Sequence, residues 1–442
     1  MASSVVRAPL LRNATVRHYA AAAAAQSAVN PTPDSQVLGN KITVAAIDSN
    51  SPVAQVSVIF RAGSRNETYD TQGISHMLRI AAGLTTSRST AFGITRNIQQ
   101  IGGNLTAVAD RESIAYTLQV TRDHLGQALT FLEDVATRQI FKPWEISDQA
   151  ARLRYELSSI PETTRVIELL HKAAYRKGLG YSLYCPKRQI GKINSESLQH
   201  FVSTWFSGNR CAVVGSGVSL EELSNFAENL QVSGRDSNSE PSKYVGGELR
   251  KERNSPLASV AVAVEGAGLD KEKDALALAV LQYAAGTGPQ VKWGSSSAPL
   301  IKSVASAAGS DPFAITAFNA SYSDSGLFGF VLSAPRNVAG SLTTAAYKWL
   351  KSPNVTDADI TRGKTALKAS ILYAAEDPSS QLEGIGQHAL LKGRTASVVA
   401  IAAEVDKISA SDVKSVLCKL SGKPSLAAIG DLSTVPHVDQ LS

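Results

Sequence analysis

The chain has 442 residues, 43% hydrophobic and 19% charged; this is globular composition, with room for two to four domains, and it excludes a wholly disordered protein. Its formal charge is +6, but Lys and Arg are scattered and no basic block is interleaved with aromatics, so nucleic acid is not an expected partner. No run approaches the roughly 18–20 apolar residues of a membrane span, and the alanine run Ala20–Ala25 is too short and weak, so membrane association is expected through partners only.

Residues 1–19 contain Arg7, Arg12 and Arg17 with Ser, Ala, Val and Leu between them, and the first acidic residue is Asp34. A basic, acid-free, moderately amphipathic start without a continuous apolar core is the composition of a mitochondrial transit peptide. Arg17-His18-Tyr19-Ala20 places an expected cleavage between Tyr19 and Ala20, and losing the three arginines lowers the formal charge from +6 to +3. Residues 20–37, rich in Ala, Ser and Pro, read as a flexible lead-in.

The remainder repeats one order of elements. Val53–Phe60 (VAQVSVIF) is a β-rich run, and Leu257–Val264 (LASVAVAV) returns to it 204 residues later. Each is followed by a glycine-containing turn, Arg61-Ala62-Gly63-Ser64 and Glu265-Gly266-Ala267-Gly268, and then by a helical stretch near Ile74–Leu84 and Ala275–Ala285. Phe141-Lys142-Pro143-Trp144 opens a helical run through Ile160; Lys351-Ser352-Pro353-Asn354 opens another, with Thr356 as its N-cap before Asp357 and Asp359. Lys192-Ile193-Asn194-Ser195 and Lys407-Ile408-Ser409-Ala410 each precede a helix and a final strand, Cys211–Gly215 and Leu426–Gly430. Two copies are too few for a solenoid and predict two homologous domains of hairpin-connected strands and helices, at 38–230 and 248–442. The linker is expected at 231–247, where Ser, Gly, Asn, Asp and Pro cluster. Cys185, Cys211 and Cys418 form no C-x-x-C pair, which argues against a zinc ribbon or an iron–sulfur cluster; they read as three packed thiols.

Chemistry is expected around Phe60-Arg61-Ala62-Gly63-Ser64-Arg65-Asn66-Glu67 and Gly73-Ile74-Ser75-His76-Met77-Leu78-Arg79-Ile80. This stretch resembles the start of the pitrilysin-type zinc peptidases, where R-x-G-S-x-x-E leads to H-x-x-E-H on a helix. There, two histidines one helical turn apart grip zinc, the intervening Glu takes a proton from metal-bound water, and a distant Glu is the third ligand. Here His76 keeps the first histidine, Arg79 stands where the general base belongs, and Ile80 replaces the second histidine. Counting back from His171-Lys172-Ala173-Ala174-Tyr175 puts Arg154 at the distal ligand position, with Glu156 two residues away. The departures imply a peptidase homologue with no zinc, no cofactor and no catalytic residue, in which His76 is an ordinary hydrogen-bonded histidine.

Arg111-Glu112-Ser113-Ile114-Ala115-Tyr116-Thr117, Ile101-Gly102-Gly103, Leu183-Tyr184-Cys185-Pro186 and Gly191-Lys192-Ile193 extend the resemblance over nearly the whole chain after residue 20. They resemble the mitochondrial processing peptidases, and in particular the noncatalytic branch that forms core subunits of the ubiquinol–cytochrome c reductase (complex III). That resemblance implies an α+β fold of two homologous domains, each a mainly antiparallel sheet with helices packed on one face. It implies a heterodimer with the fellow core subunit (core protein 1), contact with the cytochrome and Rieske iron–sulfur subunits, and a second copy in a dimeric complex. The place implied is peripheral, on the matrix side of the mitochondrial inner membrane. The alternative within the family is the noncatalytic presequence-binding subunit of a processing peptidase. Gly286-Thr287-Gly288-Pro289 with Gly294 and Ser295–Ser297 lies where that subunit carries a glycine-rich loop; Lys292 precedes Gly294, so it is not a phosphate-binding P-loop.

Overall fold

The computed structural model describes residues 32–232, 234–235, 237–288, 298–420 and 422–441. The transit peptide, its cleavage at Tyr19 and Ala20, and most of the loop from Gly286 to Gly294 lie outside these residues.

The first half runs β1 (Asp34–Val37), β2 (Thr43–Ile47), β3 (Val53–Phe60), α1 (Ile74–Ala81), α2 (Ala91–Gln100), β4 (Asn104–Ala109), β5 (Ile114–Thr121), α3 (Leu125–Thr137), α4 (Pro143–Ser159), α5 (Glu162–Tyr175), α6 (Ser195–Trp205), β6 (Cys211–Ser216) and α7 (Leu220–Asn229). The second runs β7 (Gly247–Glu252), β8 (Leu257–Glu265), α8 (Glu272–Ala285), α9 (Pro299–Ala308), β9 (Ala314–Ser321), β10 (Gly326–Pro335), α10 (Ala339–Lys351), α11 (Asp357–Glu376), α12 (Pro378–Lys392), α13 (Val398–Lys407), α14 (Ala410–Lys419) and β11 (Ser425–Gly430).

The sheets have orders β1-β2-β6-β3-β5-β4 and β7-β11-β8-β10-β9. Apart from the extra β1 the two orders match strand for strand, including one parallel pair in each, β2 with β6 and β7 with β11, among otherwise antiparallel neighbours. Thr356 caps α11 as expected: its Oγ1 accepts from Asp359 N–H, and Asp359 Oδ2 accepts from Thr356 N–H.

The continuous apolar runs of β3 and β8 reflect burial on both faces. Ala54, Val56, Val58 and Phe60 of β3 face the helices of their own half, as Ala258, Val260, Val262 and Val264 of β8 do in theirs. The opposite faces are covered by exchange. Helix α5 lays Val166, Leu170 and Ala174, spaced four apart on one helical face, on Ala261, Ala263, Ala427 and Ile429 of the second sheet. Helix α12 lays Leu382, Ile385 and Ala389 on Ala45, Ile47, Ile59, Ala212 and Val214 of the first. Gly386 permits this approach, since a Cβ there would stand 2.2 Å from Ile59 Cδ1.

Several sequence boundaries shift. Asp34–Val37, assigned to the flexible lead-in, is an edge strand paired antiparallel with β2, because its backbone groups complete that ladder. Gly247, assigned to the linker, begins β7. The linker is tied down: Arg210 donates to Ser237 O, Ser242 N–H to Asp324, and Tyr244 O–H to Lys423 O. Of the cysteines, Cys185 and Cys211 are buried but Cys418 is exposed on α14.

Candidate functional site

Helix α1 is held at its start by Glu67. This carboxylate accepts from Gly73 N–H at 2.8 Å, Ser75 N–H at 2.8 Å and the Ser75 hydroxyl at 2.7 Å. Three free donors at a helix N-terminus draw a carboxylate there. Burial nonetheless outweighs them and pushes Glu67 up to about 7. Gly73, with φ of +95°, makes the turn into the helix and leaves no space for a Cβ against Cys185, 2.7 Å away.

His76 is 1% exposed. Its Nδ1 accepts from Cys185 N–H at 3.0 Å, so Nε2 carries the proton and donates to Glu156 Oε2 at 2.9 Å. Burial, aided by the nearby Arg79 and Arg152 charges, holds His76 below its ordinary value despite Glu156, so the ring is neutral at pH 7. The Tyr184 ring stands edge-on to it at 5.6 Å. Arg79 also donates to Glu156 Oε2, and Arg152 Nε donates to Oε1 at 3.1 Å. Burial works against the Glu156 charge, but these hydrogen bonds and the Arg79 charge win and hold its carboxyl below the usual range.

The four positions singled out in the sequence are therefore not one cluster. His76 and Arg79 meet at Glu156. Ile80 is buried among the apolar residues of the first half, and Arg154 is exposed. The residue of α4 that faces His76 is Glu156, not Arg154: two positions along a helix is about 200°, the opposite side. Counting from a distant anchor cannot fix phase to that accuracy. Chemically, two candidate donors remain, His76 and Glu156, each already spent on the other, with a guanidinium on the same oxygen. Among the described residues no three His, Cys, Asp or Glu side chains converge as a metal site requires.

The motif residues beside this site join the two halves. Arg65 bridges Glu112 at 2.5 Å and Asp324, and also donates to Ser323 Oγ at 2.9 Å. Glu112 accepts from Ser323 N–H at 2.9 Å and its hydroxyl at 2.6 Å. Arg111, 2% exposed, pairs with Glu168 of α5 and donates to Tyr181 O at 2.6 Å and Leu179 O at 3.2 Å. Tyr322 of the second half meets His171 Nε2 at 2.7 Å. The sequence flagged Arg65, Arg111 and Glu112 by resemblance only. Their adjacency to buried strands was the available physical sign that these charges needed partners.

With this geometry in view, the comparisons define the class. Residues 43–187 match the insulinase (M16 peptidase) family and residues 192–367 match the M16 peptidase inactive domain. The chain belongs to the M16 peptidase family, in its two-domain form with paired α+β halves. It is 36% identical over 417 residues to the human mitochondrial cytochrome b-c1 complex subunit 2, covering 91% of each chain, and 36% identical to the rat protein of the same name over the same shares. A probable mitochondrial-processing peptidase subunit alpha-1 of Arabidopsis thaliana is 29% identical, over 92% of this chain and 83% of that one. The resemblance read in the sequence is thereby borne out.

Proposed function

We propose that this chain is the noncatalytic core subunit 2 of the mitochondrial ubiquinol–cytochrome c reductase and supports assembly and stability of that complex. The observation that carries the noncatalytic reading is the Arg79 guanidinium on Glu156, on the same oxygen that His76 donates to. A dication there would meet a fixed positive charge and only two protein donors, so the residues do not fit zinc. Similarity to subunit 2 of the cytochrome b-c1 complex at 36% identity, against 29% for the processing-peptidase alpha subunit, supports the scaffold over the presequence-binding alternative. The partners proposed are core protein 1, the cytochrome and Rieske subunits and a second copy of the complex. The chain would sit peripherally on the matrix side of the inner membrane. No helix among the described residues is long and apolar enough to cross a membrane, so attachment is assigned to those partners.

The test is elemental analysis and presequence cleavage on the purified chain, beside co-purification with cytochromes after detergent extraction. The reading expects no stoichiometric zinc, no cleavage and recovery with cytochromes. One zinc per chain that disappears in His76→Ala would overturn the noncatalytic assignment. Recovery only with a soluble peptidase subunit would favour the alternative.

A further inference from the structure

A cavity of about 900 Å³ opens where the outer side of α5 meets the 176–188 segment, the chain before α1 and the edge of the second sheet. Its volume is in the range of small-molecule sites. Its walls are cationic to a degree that the fold does not require. Arg165 and Lys172, spaced seven apart, share one face of α5, and Arg176 follows as its C-cap residue; Lys187 and Arg188 come from the 176–188 segment, and Lys251 from β7. The acidic residue in the lining, Glu168, is committed to Arg111 and to Leu183 N–H. Lysines and arginines near a helix C-terminus complement its dipole, which accounts for Lys172 and Arg176. It does not account for Lys187 and Lys251, which other elements bring to the same space.

Two of the guanidiniums are preset. Arg188 lies 4.0 Å over the Tyr69 ring and donates to Gln72 Oε1 at 2.8 Å, while Arg165 is held by the carbonyls of Ile160 and Leu157. Burial, and then the charges of Arg253, Arg165 and Lys187, depress the Lys251 amine below its ordinary value. Like charges are thus gathered, and the one carboxylate in the lining, Glu168, is already paired. Leu157, Ile160, Leu169 and Ile429 line the apolar remainder.

We propose that this cavity is a binding site for a phosphate-bearing anion of two or more charges with an apolar or aromatic portion. The fixed guanidiniums suit phosphate oxygens, the flexible lysines supply point charge, and the apolar walls take the organic part. The same chemistry is presented by a free organic phosphate and by an acidic phospholipid headgroup with the start of its acyl chains.

Two probes separate these sources on the full chain: inorganic pyrophosphate, followed by calorimetry and thermal melting, and co-sedimentation with phosphatidylglycerol–phosphatidylcholine vesicles against phosphatidylcholine alone. Pyrophosphate is expected to bind and to raise the melting temperature, because it relieves the crowding of like charges. The double variant Lys172→Gln/Lys251→Gln should weaken binding of whichever probe is taken up by about 10-fold or more, equivalent to two lost charge contacts. A control, Lys348→Gln/Lys351→Gln on α10, should bind as the unaltered chain does, and circular dichroism melts establish that both variants are folded. Uptake of pyrophosphate without vesicle binding assigns the free phosphate; selective vesicle binding, competed by pyrophosphate, assigns the headgroup. Binding of neither probe, or equal binding by the double variant, overturns the proposal.

Discussion

The two sheets share one strand order, yet their outer faces are covered unequally. On the second sheet α5 seats Val166, Leu170, Ala174 and Tyr175, and Arg111–Glu168 and Tyr322–His171 close the margin with buried polar contacts. On the first, α12 covers only the inner strands. Ser57 of β3 and Thr106, Thr117 and Gln119 of the outer strands are left around a cavity of about 280 Å³, and Gln55 to Ser379 at 3.4 Å is the kind of contact that replaces the buried ion pair. The same exchange of helices is thus locked by charge on one side and by apolar contact on the other. The locked side is the one that carries α4 and Glu156, because Arg165 ties the start of α5 to the carbonyls that end α4. The rigid crossing therefore also holds Glu156 against His76 and Arg79.

The largest effect is expected from breaking the lock. Arg111→Ala leaves Glu168 without its cation at a mostly buried position and should cost about 4 kcal/mol, read as a lowered urea midpoint. A loss under about 1 kcal/mol would mean that the crossing is held by apolar contact alone. Next is the α1 carboxyl. Burial raises Glu67 from an ordinary 4.5 to about 7, so the folded chain binds this proton more tightly than the unfolded one. The resulting stability is fully present below pH 4.5 and is lost as pH rises through 7, by up to about 3 kcal/mol. Glu67→Gln should flatten urea midpoints across that window; an unchanged slope would refute the titration. Smaller is the contrast between the crossings themselves. Leu170→Ala should cost about 3 kcal/mol and Leu382→Ala about 2 kcal/mol, and a reversed order would break the comparison.

The His76–Glu156 pair offers a sharper test of what the locked side preserves. Because Glu156 already faces His76, the pair Arg79→Glu and Ile80→His should suffice for stoichiometric zinc, without any change at Arg154. Each change alone should leave zinc unbound in elemental analysis. Zinc uptake only after a further Arg154→Glu would restore the phase read from the sequence.

Much of this was legible in the sequence, because strands buried on both faces write continuous apolar runs and helix starts write their caps. Val53–Phe60 and Leu257–Val264 became β3 and β8, and Thr356 became the cap of α11. The exchange of α5 and α12 was not legible. An apolar stripe such as Val166, Leu170 and Ala174 states that a helix is covered, not which sheet covers it, and its partners lie some 90 to 260 residues away. The edge strand Asp34–Val37 escaped for a similar reason: it is mostly exposed, and only backbone pairing makes it a strand. The distal position was read at Arg154, half a helical turn from Glu156, since phase along α4 is set by packing at Ile146 and Leu153 rather than by distance from His171.

The most direct measurement of the central claim is native electrophoresis of detergent-solubilised mitochondria, with immunodetection of this chain beside haem staining. The account predicts that the chain runs with the cytochrome-containing band of the dimeric reductase, and that depleting core protein 1 removes it from that position. A chain found as a monomer or in a small soluble heterodimer, with no cytochrome in its band, would contradict the account.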